Sequence, residues 1–314
     1  MVQCILLFLV LEVIKLLILP LYRKYKERLK DIEARIILAI LACFIIYVPA
    51  RVVFDYYAVS TRIVEYKIKT LPDDLNNFRI TFISDIQADA YTDASRLGKY
   101  IRRVNETDPD LVLVGGDMIT STPEYINEAA EYVGKIKSGY GVYSCIGDHD
   151  NWAYRNDYSR SLREVEGAME KYKVEMFNNK DTVLNIKNSS IGITFLTSTY
   201  VEHLKINVLD SLIIAQKISD LKIVLIHQPD ALAVRKAAAA GYNLFLAGHT
   251  HGGQVSFLFP FINLTPTLLE TRFVRGDFHF GKMLMIVTRG LGMSLVPMRY
   301  NSTPEITLII LRKD

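Results

Sequence analysis

Five short apolar runs in this chain each end in a residue that can bind a cation or move a proton. RITFISD closes on Asp85, LVLVGGD on Asp117, and VYSCIGD on Asp148, which His149 and Asp150 follow directly. KIVLIH closes on His227, and NLFLAGH on His249, with Thr250 and His251 next. These groups collect four of the six histidines. Asp oxygens and His nitrogens suit a divalent ion of the Mn, Fe, Zn or Mg range. The set holds more ligands than one ion takes, and it fits two ions sharing a carboxylate. Two metals roughly 3.5–4 Å apart can clamp a phosphate, make hydroxide from bound water and stabilise the leaving oxygen. Gly116, Gly147 and Gly248 precede three of these groups and let the backbone turn tightly beside the ions. Plainer roles exist for single residues. Asp85 and Asp117 would serve as helix N-caps after strands, and His227 as a turn cap before Gln-Pro. Recurrence at five successive strand ends argues against these.

The elements that position such residues are legible in outline. The runs at 79–85, 111–117 and 142–148 read as buried strands, with helices at 93–105, 123–137 and 159–172. Strands are expected at 182–187, 190–197, 222–227 and 243–249, with a helix at 229–240 between the last two. MLMIVTRG (283–290) and EITLIIL (305–311) close the chain. Continuous apolar runs alternating with helices indicate an α/β protein whose sheet is covered by helices. Ligand sites of such sheets lie beyond the carboxyl ends of the strands, where the polar groups fall.

SDIQ (84–87), GGDMIT (115–120), GDHD (147–150), IHQPD (226–230) and GHTHGGQ (248–254) resemble, in order and spacing, the signature blocks of the calcineurin-like metallophosphoesterase superfamily. The tail at 288–311 is similar to its membrane-associated or exported bacterial subgroup. The resemblance covers about residues 60–314 and implies a four-layer α/β/β/α sandwich. It implies one metal on Asp85, Gln87, Asp117 and His251, and a second on Asp117, Asp148, His227 and His249, with Asp117 bridging. Manganese is the foremost expectation, with Fe, Zn and Mg as alternatives. His149 would protonate the leaving group and Asp150 would orient its imidazole. Two residues depart from the family pattern. Gln87 stands where the family has His, which biases that site towards a harder ion. Asp148 stands where it has Asn, which adds charge to the second site. The pair reads as a retuned site. Trp152 and Asn151 are candidates to wall the pocket, and Arg289 and Arg299 to meet phosphate or solvent. His203 and His279 match no motif.

The first fifty-five residues differ from the rest. Residues 5–22 and 36–54 are apolar stretches of about the length that crosses a hydrocarbon core of roughly 30 Å. The first contains Glu12 and Lys15, placed to pair on one helix face. The connecting RKYKERLKDIEAR carries six Lys/Arg against three acids. The expected division is an anchor at 1–55 and a catalytic domain at 56–314. A basic loop tends to stay cytoplasmic, which places the catalytic domain outside. A monotopic hairpin leaves it on the cytoplasmic face.

Composition narrows the partners. Of 314 residues, 50% are hydrophobic and 23% charged, enough apolar content for a sizeable core. The formal charge of +3 comes without a basic stripe on the α/β portion, and no nucleic acid is expected. The chemistry is hydrolysis of a phosphoester or phosphoanhydride. A membrane-held site meets lipid-linked phosphodiesters and pyrophosphates at high local concentration, and FLFPFINL (257–264) is an apolar stretch suited to meet lipid or to pack as a strand. The rival is a non-catalytic metal- or phosphate-binding membrane protein on the same fold. Gln87 favours it, and the His149–Asp150 pair opposes it.

Overall fold

The computed structural model describes residues 2–215, 219–259 and 262–314. Three helices open it, α1 (Val2–Leu17), α2 (Leu19–Lys24) and α3 (Lys26–Tyr57). An alternating series follows: β1 (Ser60–Ile68), β2 (Arg79–Ile83), α4 (Ala94–Asn105), β3 (Leu111–Val114), α5 (Ile126–Val133), β4 (Val142–Cys145), α6 (Tyr158–Lys171) and β5 (Val174–Phe177). The second half holds β6 (Lys180–Ile186), β7 (Ser189–Leu196), α7 (Ile206–Ala215), β8 (Leu221–Ile226), α8 (Ala231–Ala239) and β9 (Leu244–Ala247). A small hairpin of β10 (Phe257–Phe259) and β11 (Ile262–Leu264) precedes β12 (Gly276–Phe280), β13 (Met283–Val287) and β14 (Glu305–Lys313).

The strands form two six-stranded sheets, ordered β1-β14-β2-β3-β4-β5 and β12-β13-β9-β8-β7-β6. β2 to β5 run parallel, as do β7, β8, β9 and β13. The inner faces meet in a dry layer that includes Phe82, Leu113, Cys145, Phe195, Leu225 and Leu246. Each such aliphatic or aromatic side chain contributes about 1.5–3 kcal/mol of burial. The outer face of the first sheet packs on α4, α5 and α6, and that of the second on α7 and α8. The result is the expected α/β/β/α sandwich.

Local signals set the helices. α4 starts at Asp93, whose carboxylate accepts the Arg96 N–H at 3.0 Å. It buries Leu97, Tyr100, Ile101 and Val104, the i, i+3, i+4, i+7 stripe. α8 is capped the same way by Asp230, on the Ala233 N–H at 2.7 Å. The helix expected over 123–137 is shorter. It enters by a 3-10 turn at Pro123–Tyr125 and stops at Val133, before Gly134.

The amino-terminal region also differs from the expectation. The stretch at 5–22 breaks at Ile18, one residue before α2 with its Pro20. The basic segment is no loop, since Lys26 to Arg35 are the opening turns of the 32-residue α3. Lys, Arg, Glu and Leu are strong helix formers, so the helix runs straight through them. Among the described residues α3 is the one helix long and apolar enough to cross a membrane. Lys15 pairs with Glu12 at 3.2 Å, as its spacing suggests, and also with Glu33 of α3 at 2.9 Å. The 257–264 stretch is the β10–β11 hairpin, antiparallel with Phe257 opposite Leu264. Its Pro260 and Phe261 lie outside the described residues.

Candidate metal centre

The loops after β2, β3, β4, β8 and β9 converge at one end of the sandwich. Their backbone is contorted. Asp85, Gln87, Asp117, His249 and His251 all have φ between +48° and +70°. A non-glycine residue in this left-handed region costs roughly 1–3 kcal/mol and persists where the surroundings over-determine it. Here they do. Asp85 N–H donates to the Gly116 carbonyl and Gln87 N–H to the Asp117 carbonyl, both at 3.0 Å. The His249 N–H donates to Asp85 Oδ1 at 3.0 Å, and the His149 N–H to Asp117 Oδ1 at 2.8 Å. Gly248 is required by close approach, because a Cβ there would strike Ser84 Oγ and Asp85 Oδ2.

The seven residues proposed as ligands come together. Asp148, His227 and His249 offer atoms within 4.8 Å of one another, and so do Asp85, Asp117 and His227. Asp148 Oδ2 lies 2.8 Å from His249 Nδ1 and 3.2 Å from His227 Nε2. Asp117 Oδ2 lies 3.4 Å from the same His227 atom, between the two groups. His251 Nε2 approaches Asp85 Oδ1 at 3.5 Å. Gln87 places its Nε2 2.7 Å from Asp117 Oδ2. Gln87 Oε1 is buried and, among the described residues, has no hydrogen-bond partner. A buried amide oxygen without a donor is costly, and a cation beside it removes the cost. The donors are oxygens and imidazole nitrogens, which fits a divalent ion.

The electrostatics point the same way. His227 is held well above its ordinary pKa, because Asp117 and Asp148 outweigh the effect of its burial. His249 is raised to about 9, against its own burial, by hydrogen bonds to Asp148 and Glu270. Asp148 is driven well below the usual carboxylate range, since the two imidazoles overcome burial. The part of the pocket around Asp148 calls for positive charge and draws protons onto His227 and His249, whereas burial, with Arg299 beneath it, holds His251 well below its ordinary value.

Asp150 has a different task from the one read in the sequence. Its carboxylate accepts the N–H groups of Asp117 (3.0 Å), Met118 (2.8 Å) and Gly147 (2.8 Å). The His149 imidazole instead puts Nδ1 on the Thr120 carbonyl and Nε2 3.1 Å from Ser294 Oγ. Two loop backbones thus claim the carboxylate, and the ring is oriented by Thr120 of the first of them and by Ser294 of a third loop. Burial first, and then the Asp117 charge, raise Asp150 to about 6.

Several functional residues escaped the motif reading. Glu270 accepts from His249 Nε2 at 2.6 Å and from the Tyr200 hydroxyl at 2.8 Å. Gln228 donates Nε2 to both oxygens of Asp148 at 3.0 Å, and the Tyr200 N–H donates to Oδ1 at 2.6 Å. Gln228 lies inside the IHQPD block, so its position was visible although its role was not. Arg299 meets neither phosphate nor solvent. It is fully buried, and it donates to the carbonyls of Gly292 (2.9 Å), Arg289 (2.8 Å) and Ser302 (3.0 Å), beneath His251. Arg289 lies 3.4 Å from Glu305. Trp152 walls the pocket, its ring against His149 at 4.5 Å and stacked with Tyr200 at 6.3 Å. Asn151 turns inward to the Gly147 carbonyl at 3.0 Å. His203 and His279 are exposed.

A four-layer sandwich carrying an Asp/His pocket at its strand ends defines a metal-dependent hydrolase of phosphoesters. The sequence profile of the calcineurin-like phosphoesterase family matches residues 78–253, and the chain belongs to that family. It is 30% identical over 254 residues to the uncharacterized metallophosphoesterase YkuE of Bacillus subtilis, covering 79% of this chain and 84% of that one. A transmembrane protein with metallophosphoesterase domain from Danio rerio is 28% identical over 277 residues, 80% of this chain. The match spans 56% of that relative's length, little more than half. The phosphodiesterase YaeI of Escherichia coli is 24% identical over 248 residues, 79% of this chain and 87% of that one.

Proposed function

We propose that this protein is a membrane-anchored phosphodiesterase or pyrophosphatase that uses two divalent ions, manganese foremost, and acts on a lipid-linked phosphoester. The observation that carries the two-metal reading is the buried Gln87 Oε1, without a hydrogen-bond partner among the described residues, beside two Asp/His clusters that meet at His227. Asp85, Gln87, Asp117 and His251 would hold one ion, and Asp117, Asp148, His227 and His249 the other. When bound, two such ions supply an activated water and neutralise charge on the phosphate.

The remaining work falls to the chain. His149 lines the cavity with Nδ1 engaged by the Thr120 carbonyl, which fixes the proton on Nδ1 and leaves Nε2 facing Ser294 and the cavity. As the imidazolium, with a second proton on Nε2, His149 would be in position to pass that proton to a leaving oxygen and return to the Nδ1–H form. Glu270 holds the His249 Nε2 proton, so that His249 Nδ1 presents its lone pair inward. Asp150 keeps the Asp117 and Gly147 loops in register.

The anchor reading rests on α3 and on the relatives named as transmembrane proteins. We place the catalytic domain, from residue 56 onward, outside the cytoplasm, because the basic segment lies at the far end of the helical hairpin from it. Full-length protein in detergent, stripped with chelator and titrated with Mn²⁺, should regain aryl phosphodiester hydrolysis. The variants Asp117→Ala and His249→Ala should not. A folded protein inactive with Mn, Fe, Zn, Co and Mg alike would leave the rival, a phosphate-binding membrane protein.

A further inference from the structure

We propose that the rim of the metal cavity is itself a bilayer-docking surface, so that a phosphate carried by a membrane lipid enters the site from the membrane face. The inference rests on the anchored-hydrolase reading above and adds the face and the residues through which the site meets lipid. Two loops flank the cavity. One, at 266–270, contributes Pro266, Thr267 and Glu270 to its wall, and the other contributes Leu295 and Val296. At their tips Leu269 and Leu295 are 95% and 96% exposed. Leu268, Val296 and Met298 beside them are also exposed. Two wholly exposed leucines, one on each side of a pocket built for polar chemistry, have no role in packing the fold. Clustered apolar exposure of this kind marks a contact surface.

The rim is continuous with the apolar helices, and this identifies the occupant as lipid. Tyr47 of α3 sits edge-on to Tyr300 at 6.3 Å and donates its hydroxyl to Asn301 at 3.0 Å. The Tyr300 N–H donates to the Gln254 carbonyl at 2.9 Å. The Gln254 side chain then clasps the rim, with Nε2 on the carbonyls of Ser294 (2.6 Å) and Val296 (3.0 Å) and Oε1 on the Ser294 N–H (2.8 Å). The other loop is tied to the same region, Thr265 Oγ1 donating to the Gly253 carbonyl at 2.8 Å.

The helix sets the depth. α3 carries no charged residue from Ile36 to Ala50, between Arg35 and Arg51. At about 1.5 Å per residue that stretch runs about 22 Å, and the two flanking arginines can reach the surfaces of a hydrocarbon core of roughly 30 Å. With Arg35 towards one surface, Tyr47, one turn before Arg51, lies near the other, the level at which tyrosines concentrate. Arg51 and Asp55, paired at 2.7 Å, fall just beyond it, and Arg51 donates to Thr303 of the catalytic domain at 2.9 Å. The helix is thereby fixed to the domain at the bilayer surface, with the Leu269 and Leu295 tips beside that plane.

The test is the depth of a fluorophore in full-length protein reconstituted in phosphatidylglycerol–phosphatidylcholine vesicles. Cys43 is exposed and is replaced by Ser, while Cys4 and Cys145 are buried. An environment-sensitive probe is attached singly at Leu269→Cys, Leu295→Cys, Ile45→Cys in α3, and Asn188→Cys. The last lies between β6 and β7, at the opposite end of the sandwich from the metal loops. Quenching by nitroxide-labelled lipid is expected at 45, 269 and 295 and not at 188. Quenching at 45 with none at 269 and 295 overturns the docking rim while leaving the anchor intact. No quenching even at 45 overturns the anchor and the rim together. As a second readout, Leu269→Glu, on the leucine outside the cavity wall, should lower hydrolysis of vesicle-borne phosphodiester about tenfold, from the lost burial of one leucine. Hydrolysis of the soluble aryl diester should stay within about twofold, since Leu269 touches neither the cavity nor the ligands. Equal losses on both substrates overturn the proposal.

Discussion

Replacing Glu270 by Gln isolates the contribution of a residue that no motif marks. Glu270 Oε1 lies 2.6 Å from His249 Nε2, a charge-assisted hydrogen bond in which the imidazole donates. That bond fixes the tautomer. With the proton held on Nε2, Nδ1 would be free to offer its lone pair to an ion on the side where Asp148 Oδ2 and His227 Nε2 lie, 2.8 and 3.3 Å away. A neutral amide keeps the shape, weakens the bond, and can face the ring with either its oxygen or its NH2. Loss of such an orienting carboxylate typically costs 10–100-fold in metal affinity or activity, which is about 1.4–2.8 kcal/mol. Glu270 is partly exposed, so the lower half of that range is expected. Calorimetric Mn²⁺ titration of chelator-stripped protein measures it directly. Glu270→Gln should weaken one of two binding events about 10–30-fold, and excess Mn²⁺ should restore much of the turnover. Tyr200→Phe removes the other donor to Glu270 and leaves the imidazole bond, so its Mn²⁺ affinity should move less than about threefold. Unchanged Mn²⁺ affinity in Glu270→Gln, or an equal loss in Tyr200→Phe, would refute the orienting role.

Four further outcomes follow from the same structure. His249 is raised from 6.5 to about 9. A raised pKa contributes stability in full below the unfolded value, and that stability is lost as pH rises through the folded one. Metal-free protein should therefore lose thermal stability between about pH 6.5 and about 9, a slope that saturating Mn²⁺ should flatten in a pH series of melting curves. Asp150→Asn leaves an NH2 facing one of three backbone N–H donors and should destabilise by about 1–3 kcal/mol in chemical denaturation. Gly248→Ala should abolish metal-dependent turnover, because its Cβ has no room beside Ser84. Gly167→Ala on the open face of α6 should instead stabilise by about 0.5–1 kcal/mol, with turnover unchanged.

What could be read from the sequence follows from how local each signal is. β2, β3, β4, β8, β9 and β13 are continuous apolar runs because both their faces are buried, and each ends where the chain must become polar to reach the site. The ligands sit at those ends, so strand and ligand were found together. β1 escaped because STRIVEYKI alternates in burial and gains its strand identity by pairing in parallel with β14, some 240 positions away. β12 escaped in the same way, as an edge strand beside β13. Asp150 was misread because adjacency in sequence suggested contact with His149. The 3-10 turn His149–Asn151 instead directs the carboxylate at the backbone of another loop. Glu270 and Tyr200 act through contacts across 21 to 70 positions, and nothing in their neighbourhoods announces them.

The two departures from the family pattern make sense together. Both oxygens of Asp148 accept from donors outside the ligand set: the Tyr200 N–H meets Oδ1 and Gln228 Nε2 spans the pair. Oδ2 faces His227 and His249, the side on which an ion would sit. The Gln228 amide could rotate to accept from an asparagine, but the backbone N–H of Tyr200 could not. An asparagine would have to set its NH2 against that N–H or towards the ion, so the surroundings of Asp148 are built for a carboxylate. Its added charge is met by these two neutral donors. Gln87 makes the complementary change, because its amide brings no charge and leaves Oε1 as a hard, neutral donor beside Asp117. Three carboxylate ligands, Asp85, Asp117 and Asp148, against two divalent ions would leave one net positive charge on the ligand set, with Glu270 beyond His249 as the nearest further carboxylate. A decayed site would have lost donors or left them scattered, whereas here Asp148 is met by donors at both oxygens and Gln87 keeps its amide against Asp117, with Oε1 left for an ion.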